Sequence, residues 1–280
     1  MKNIFISFSG GLTSAYMTNY ILSNEKYKKS RKLIVFANTG KEKEETLNFV
    51  NECSIYWGVK IHWIEYAPQE KHGFKNWFKV VDFKTASRNG EPFEKFIIKE
   101  RIPNSAYPNC SGRLKQLPLH NFAKQYFKDQ NYYTAIGIRR DEAHRINWSS
   151  AKKNKYFYPL AVDFPVTKEF IHSFWEGQNF TLNIKSYEGN CDCCWKKSNR
   201  KLYTIVKENP QSFEWWAEME EKHGEGFSFF RNNRTALDII NEAENFPDSK
   251  HAKCDTFISK EKSKQLSFFD LDSEMPCSCQ

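Results

Sequence analysis

The chain has 280 residues, 40% of them hydrophobic and 16% aromatic, which is enough for one large domain with an appendage. No apolar run is long enough to span a bilayer, and the first residues lead straight into a strand pattern. Neither a membrane span nor a secretory leader is therefore expected, and a cytoplasmic protein is. The net charge of +8 leaves room for a polyanionic partner, and eight cysteines in such a chain suggest metal or redox chemistry rather than a disulfide framework.

The first apolar run, Ile4-Phe5-Ile6, reads as a buried strand. It leads into Ser7-Phe8-Ser9-Gly10-Gly11-Leu12-Thr13-Ser14 and then a helix-compatible run over residues 15–22. Glycines let a backbone turn tightly and approach a ligand closely. A helix N-terminus offers unpaired N–H groups and partial positive charge, which suits a phosphate. Ser7, Ser9, Thr13 and Ser14 add hydroxyls. Residues 33–36 form a second apolar strand, ending in Ala37-Asn38-Thr39-Gly40. Residues 42–56 place Leu47, Phe49, Val50 and Cys53 at helical spacing, and residues 59–65 are a third strand. Alternating strands and helices predict a parallel sheet with right-handed crossovers, whose ligands lie beyond the carboxyl ends of the strands.

Residues 68–108 are less regular, with a short helix over 93–99. Cys110-Ser111-Gly112-Arg113-Leu114-Lys115 opens a helix running to about residue 127. Residues 132–138 are a fourth strand, running into Gly137-Ile138-Arg139-Arg140-Asp141-Glu142. Residues 152–156 read as basic and exposed. Helices follow over 168–175, from the 189–202 segment onward, over 210–223, and from the cap Thr235 to residue 243. Beyond residue 246 the composition turns polar. The expected division is an α/β domain over 1–165 that carries the glycine loop, a helical cysteine-containing subdomain over 166–245, and a poorly ordered tail over 246–280.

Chemistry-bearing residues cluster at the predicted strand ends. The glycine loop is neither a Walker A loop nor a Gly-x-Gly-x-x-Gly turn. Asn38-Thr39-Gly40 is either a plain turn or, at a strand's carboxyl end, a loop whose Asn and Thr bond a ligand. Arg139 and Asp141 are candidate catalytic residues, since Arg holds phosphate in a bidentate way and a neighbouring carboxylate binds Mg²⁺ or fixes the arginine. Cys191 and Cys194 have metal-ligand spacing and Cys110 is a candidate third ligand, for an iron–sulfur cluster or for zinc. The same spacing also fits a redox pair. His120 and His144 are read as structural, and Cys53 as a small buried residue.

Five stretches together carry a resemblance. They are Ser9-Gly10-Gly11-Leu12-Thr13-Ser14, Phe36 to Glu42, Pro108-Asn109-Cys110-Ser111-Gly112-Arg113-Leu114-Lys115, Ala135 to Glu142, and Gly189-Asn190-Cys191-Asp192-Cys193-Cys194-Trp195-Lys196-Lys197-Ser198. The chain resembles the PAPS-reductase-like proteins of the PP-loop superfamily, of the kind common in phages and bacteria. The resemblance implies an α/β fold: a parallel-sheet three-layer sandwich of the adenine nucleotide alpha hydrolase type, with a mostly helical C-terminal subdomain. It implies ATP or PAPS as cofactor, on a site including Ser7, Ser9, Gly10, Gly11, Thr13, Ser14, Asn38, Thr39, Gly40 and Gly137. Mg²⁺ and a 4Fe–4S cluster are implied with it.

The expected reaction is ATP-dependent adenylation coupled to sulfur or related group transfer. The alternatives are PAPS reduction by a thiolate and a nucleotide- or nucleic-acid-binding module without turnover. Implied partners are an adenine nucleotide, a tRNA or DNA substrate, and a sulfur donor or thioredoxin-like protein. Cys279, in a Cys-Ser-Cys tail, is the candidate terminal nucleophile, although the reductases' terminal motif is absent. The family often carries aspartate where this chain has Thr13, and lysine where it has Leu12.

Overall fold

The computed structural model describes residues 2–68, 77–128 and 130–253. The expected tail nucleophile Cys279 and most of the expected tail lie outside these residues. The described residues divide into two compact units: residues 2–96 with 110–183, and residues 97–109 with 184–253.

The first unit is built on one sheet with strand order β4-β3-β2-β1-β5-β6. The strands are β1 (Asn3–Phe8), β2 (Arg31–Asn38), β3 (Ile61–Tyr66), β4 (Phe78–Val81), β5 (Tyr133–Ala135) and β6 (Tyr156–Phe157). All adjacent pairs are parallel except β3–β4. The central strands read as near-continuous apolar runs because helices cover both faces. Helices α1 (Leu12–Ser23) and α2 (Glu44–Trp57) are the crossovers from β1 to β2 and from β2 to β3. Both crossovers step in the same direction, so right-handedness puts both helices on one face. Helix α3 (Glu91–Lys99) follows β4, and helix α4 (Leu117–Phe127) leads back to β5 on the other side of β1 and covers the opposite face. There Phe5, Leu33, Val35, Ala37 and Ile64 pack with Leu119, Ala123 and Phe127 of α4. This is the expected three-layer α/β sandwich, with a mostly parallel sheet.

Three elements were not legible in the sequence. β4 and β6 are short edge strands of four and two residues, and α5 (Trp148–Asn154) is two turns capped by Asn147. The basic stretch over 152–156 supplies the end of α5 and the start of β6. Helix α6 (Lys168–Glu176), expected with the C-terminal subdomain, belongs to the first unit. The reason is Trp175. It is buried, its ring meets Phe49 edge-on at 5.0 Å, and its Nε1–H donates to the carbonyl of Leu12 at 3.0 Å. A helix starting at Cys110 was expected; its first seven residues, Cys110–Gln116, form a wider π-helical turn.

The second unit carries α7 (Asn199–Glu208), α8 (Glu214–His223) and α9 (Ala236–Glu244). α9 begins with a capping box, in which Thr235 and Asp238 bond each other's backbone N–H. Trp216 and Phe229 pack edge-on at 4.7 Å in its interior. The half-buried Glu220 carboxylate accepts from the N–H groups of Phe229 and Ala236, joining α8 to the start of α9.

The turn after β1 depends on one glycine. Gly10 has φ +79°, and a Cβ there would lie 2.8 Å from Thr46 Cγ2 and 3.2 Å from Val50 Cγ2 of α2. Gly11 has φ −93° and ψ 160°, a backbone that any residue adopts. Gly10→Ala is expected to lower stability by about 1–3 kcal/mol through overpacking and left-handed strain. Gly11→Ala should leave it almost unchanged. Chemical denaturation of the two variants side by side checks this.

Candidate functional site

The strand order reverses between β1 and β5, so the carboxyl ends of these two strands flank a crevice, the usual ligand position in such a sheet. On one side is the 9–14 loop. Ser14 Oγ donates to the carbonyl of Gly11 at 2.9 Å and accepts from Ser9 Oγ at 3.0 Å. These two hydroxyls therefore brace the turn from inside. Gly11 is the N-cap of α1 and supplies no side-chain cap, and the first turn carries no acid. The first N–H groups of a helix lack intrahelical partners, so this uncapped end suits an anion.

On the other side the chain leaves β5 through Gly137, where a Cβ would touch the Ser14 backbone at 3.4 Å. Two residues on, Arg139 donates from Nη1 to Thr13 Oγ1 at 3.0 Å, closing the crevice. Its Nε and Nη2 form a two-point bond to Asp141, at 3.0 and 2.9 Å, and Nη1 lies 3.2 Å from Glu142. Glu142 is also paired with Arg145. Burial works against the charged form of Asp141, but the Arg139 hydrogen bond and charge outweigh it and hold its carboxyl below the usual range. Arg140 is exposed.

The β2 turn is organised differently from a side-chain nucleotide loop. Asn38 is fully buried. Its amide donates to Glu65 and to the Ser87 carbonyl, both at 2.8 Å, and its oxygen accepts from Gly40 N–H. Thr39 donates from its backbone N–H and its hydroxyl to Glu42, both at 2.7 Å. Gly40, at φ +79°, would place a Cβ 2.9 Å from the Gly90 nitrogen. The Asn38 and Thr39 side chains are therefore spent inside the turn, and what the turn offers outward is backbone.

Two residues that hold this edge were missed by sequence reasoning. Glu42 has a completely buried carboxylate, bonded to Thr39 and paired with Lys115 Nζ at 3.1 Å. Glu65, also buried, gathers Asn38 and Ser87. The Thr39-x-x-Glu42 spacing is that of a capping box, a signal that could have located Glu42. Ser7 lies one turn of chain below the crevice, on the sheet face that α4 covers.

A model of the phosphoadenosine phosphosulfate reductase domain matches residues 3–161. The chain belongs to that family. The match takes in the glycine loop, the β2 turn and the Arg139 cluster. The nin region protein ORF290 of Escherichia phage lambda is 31% identical over 206 residues, which are 72% of this chain and 69% of that protein. An uncharacterized protein of Methanocaldococcus jannaschii is 26% identical over 240 residues, 81% of this chain but 44% of its own length. The tRNA thiolase NcsA of Methanococcus maripaludis, solved with a 4Fe–4S cluster, aligns with 95% of this chain and 78% of its own at 15% identity and TM-score 0.40. The NH3-dependent NAD synthetase of Campylobacter jejuni aligns over 88% of each chain at 10% identity and TM-score 0.40.

The metals expected for this family member were tested against its donors. Among the described residues no group of three or more His, Cys, Asp or Glu side chains is arranged to hold a metal ion. Asp141 and Glu142 are committed to arginines, which does not fit a Mg²⁺ site. Cys110 lies in the first unit and Cys191 and Cys194 in the second, so the expected three-cysteine set is not gathered within either unit. Between Cys191 and Cys194, Cys193 is fully buried, and its thiol donates to the Ser212 carbonyl at 3.3 Å. Lys197 Nζ bonds the carbonyls of Cys191 and Asp192, at 2.6 and 2.8 Å, and ties the cysteine turn together. Among the described residues no helix is long and apolar enough to cross a membrane.

Lys115→Met removes the cation from a carboxylate with no exposure of its own. It is expected to cost about 3 kcal/mol, the lower end for breaking a buried pair, with Glu42→Gln in the same chain restoring part of the loss. Urea unfolding of wild type, single and double variants measures both terms.

Proposed function

We propose that this protein is an adenine-nucleotide-dependent enzyme that adenylates a second substrate and passes it to sulfur or related group transfer. The observation that carries this reading is the hydrogen bond from Arg139 to Thr13. It sets a guanidinium across an uncapped helix N-terminus, where a row of phosphates would lie. The loop N–H groups of residues 10–14 and Arg139 would hold the phosphates. An oxygen of the second substrate would attack the α-phosphorus, and the bond from the α-phosphorus to the bridging oxygen would break. Pyrophosphate would leave with that electron pair. A later nucleophile would displace AMP. The chain's own share is positioning and charge stabilisation. Ser9, Ser14 and Gly10 shape the loop, and Gly137 lets β5 approach it. Asp141 orients Arg139. The second substrate would be a tRNA, a DNA or a smaller acceptor, with a thiol protein as sulfur donor.

A second reading has its own support, because the matching family model is that of a reductase domain. In it a thiolate attacks the sulfur of PAPS, the sulfur–oxygen bond to the nucleotide breaks, and adenosine 3′,5′-bisphosphate leaves with that electron pair; a dithiol then displaces sulfite from the S-sulfonate and ends as a disulfide. Cys279 is the candidate thiolate and lies outside the described residues.

Product analysis separates the readings. The protein is incubated with ATP, magnesium and cellular RNA or DNA, and separately with PAPS and thioredoxin. Pyrophosphate in the first mixture, lost in Gly11→Val, is the expected result. Gly11→Val should keep the fold, because Gly11 has ordinary extended backbone, while a side chain there obstructs phosphate. Sulfite in the second mixture that disappears in Cys279→Ser, with no pyrophosphate in the first, would establish the reductase reading. Neither product, with nucleotide still bound, would make it a binding module.

A further inference from the structure

The other end of the first unit holds a second cavity. Its volume is about 500 Å³, within the range of small-molecule sites. It lies beside the amino-terminal ends of β5 and β6 and is lined by α4, by the residues before β5 and by the end of α5. The crevice between β1 and β5 is at the opposite strand ends.

Three features give this cavity a chemical character. Among the described residues its lining includes Lys124, Lys153 and Lys155 and no acidic side chain. Lys124 and Lys153 are exposed, and neither has a carboxylate partner among the described residues. The rings of Tyr132, Tyr156 and His120 form part of its wall, with His120 and Tyr156 stacked at 18°. Burial, assisted by the Lys124 charge, pushes the His120 imidazole below its usual range. Its Nε2 lies 3.3 Å from the Tyr156 hydroxyl.

The third feature is an orphaned hydroxyl. His120 and Tyr156 also border a smaller recess lined by Ser7, Gln116 and Thr134. Thr134 pairs in register with Phe5 on one side and Tyr156 on the other, so it faces the same side of the sheet as both. It is 3% exposed, and its Oγ1 is buried without a hydrogen-bond partner. A buried hydroxyl left unpaired is costly and marks a place where a ligand group or a water is expected.

We propose that this cavity is a second binding site for a nucleotide unit, separate from the 9–14 loop: the phosphate sits among Lys124, Lys153 and Lys155, and the base lies against the Tyr132 and Tyr156 rings. Lysines neutralise the phosphate and aromatic faces accept any base, so the site reads charge and ring rather than sequence. The same chemistry is supplied by a free mononucleotide or by one residue of a single strand. The inference does not depend on the adenylation reading, because it requires binding alone.

The test uses the full chain carrying Gly11→Val, which removes the loop's contribution, with circular dichroism as the fold control. AMP is titrated by calorimetry and a short fluorescent single-stranded RNA by anisotropy. One of them is expected to bind, with Lys124→Glu/Lys153→Glu weakening it by about tenfold or more and steepening salt reducing it further. Both lysines are exposed, so the double variant should fold. Binding of AMP assigns the site to free nucleotide, and binding of RNA alone assigns it to a strand. Thr134→Val is expected to weaken the bound ligand while leaving the fold intact. Absence of binding by both probes overturns the proposal, as does binding that ignores the charge reversal.

Discussion

The buried carboxylate of Glu42 is the point on which the carboxyl edge of the sheet depends. It collects the Thr39 backbone, the Thr39 hydroxyl and the Lys115 ammonium, and so joins the end of β2, the approach to α2 and the wide turn before α4. An ionised group with no solvent contact is tolerated only when its oxygens are filled, and here both oxygens are. Glu65 does the same one strand over, on Asn38 and Ser87. The loops at this edge are therefore held by acids buried behind them. This explains why Asn38 and Thr39, polar residues at a strand end, serve the frame instead of the crevice.

The crevice itself follows from the strand reversal. β1 is followed by a helix on one face, and β5 is reached through a helix on the other. Their ends separate, and the 9–14 loop faces the 137–142 segment. The Arg139 bond to Thr13 spans that gap. An aspartate at position 13 would form an ion pair with the same guanidinium, whereas the threonine hydroxyl leaves most of its charge to be balanced elsewhere. Asp141 and Glu142 take on that role. The departure from the family pattern at Thr13 and the dense charge after β5 are thus two parts of one electrostatic arrangement.

The cysteines illustrate how sequence spacing underdetermines chemistry. Three cysteines within four positions look equivalent in a sequence. In the second unit they are not. Cys193 is sealed in the interior with its thiol bonded to a carbonyl, while Cys191 and Cys194 are half-buried. The turn they occupy is held by Lys197, through its bonds to carbonyl oxygens.

Sequence by itself determined the main strands, the crossover helices and the loop after β1. Each is written in local terms: apolar runs, helical periodicity, a glycine pair before a helix. It also determined the Thr235 cap, since a capping box is a three-residue relation. It did not determine β4, β6 or α5, because two to four residues of edge strand carry too little periodicity to stand out, and their pairing is set by partners far along the chain. Nor did it place α6, whose position rests on the Trp175 bond to Leu12 across more than half of the first unit. At the site, the identities of Arg139 and Asp141 were legible from their place at a strand end, but their bond to Thr13 was not. The fate of Asn38 was decided only by tertiary structure, because whether a polar side chain faces a ligand or the interior depends on which buried acid comes within reach of it.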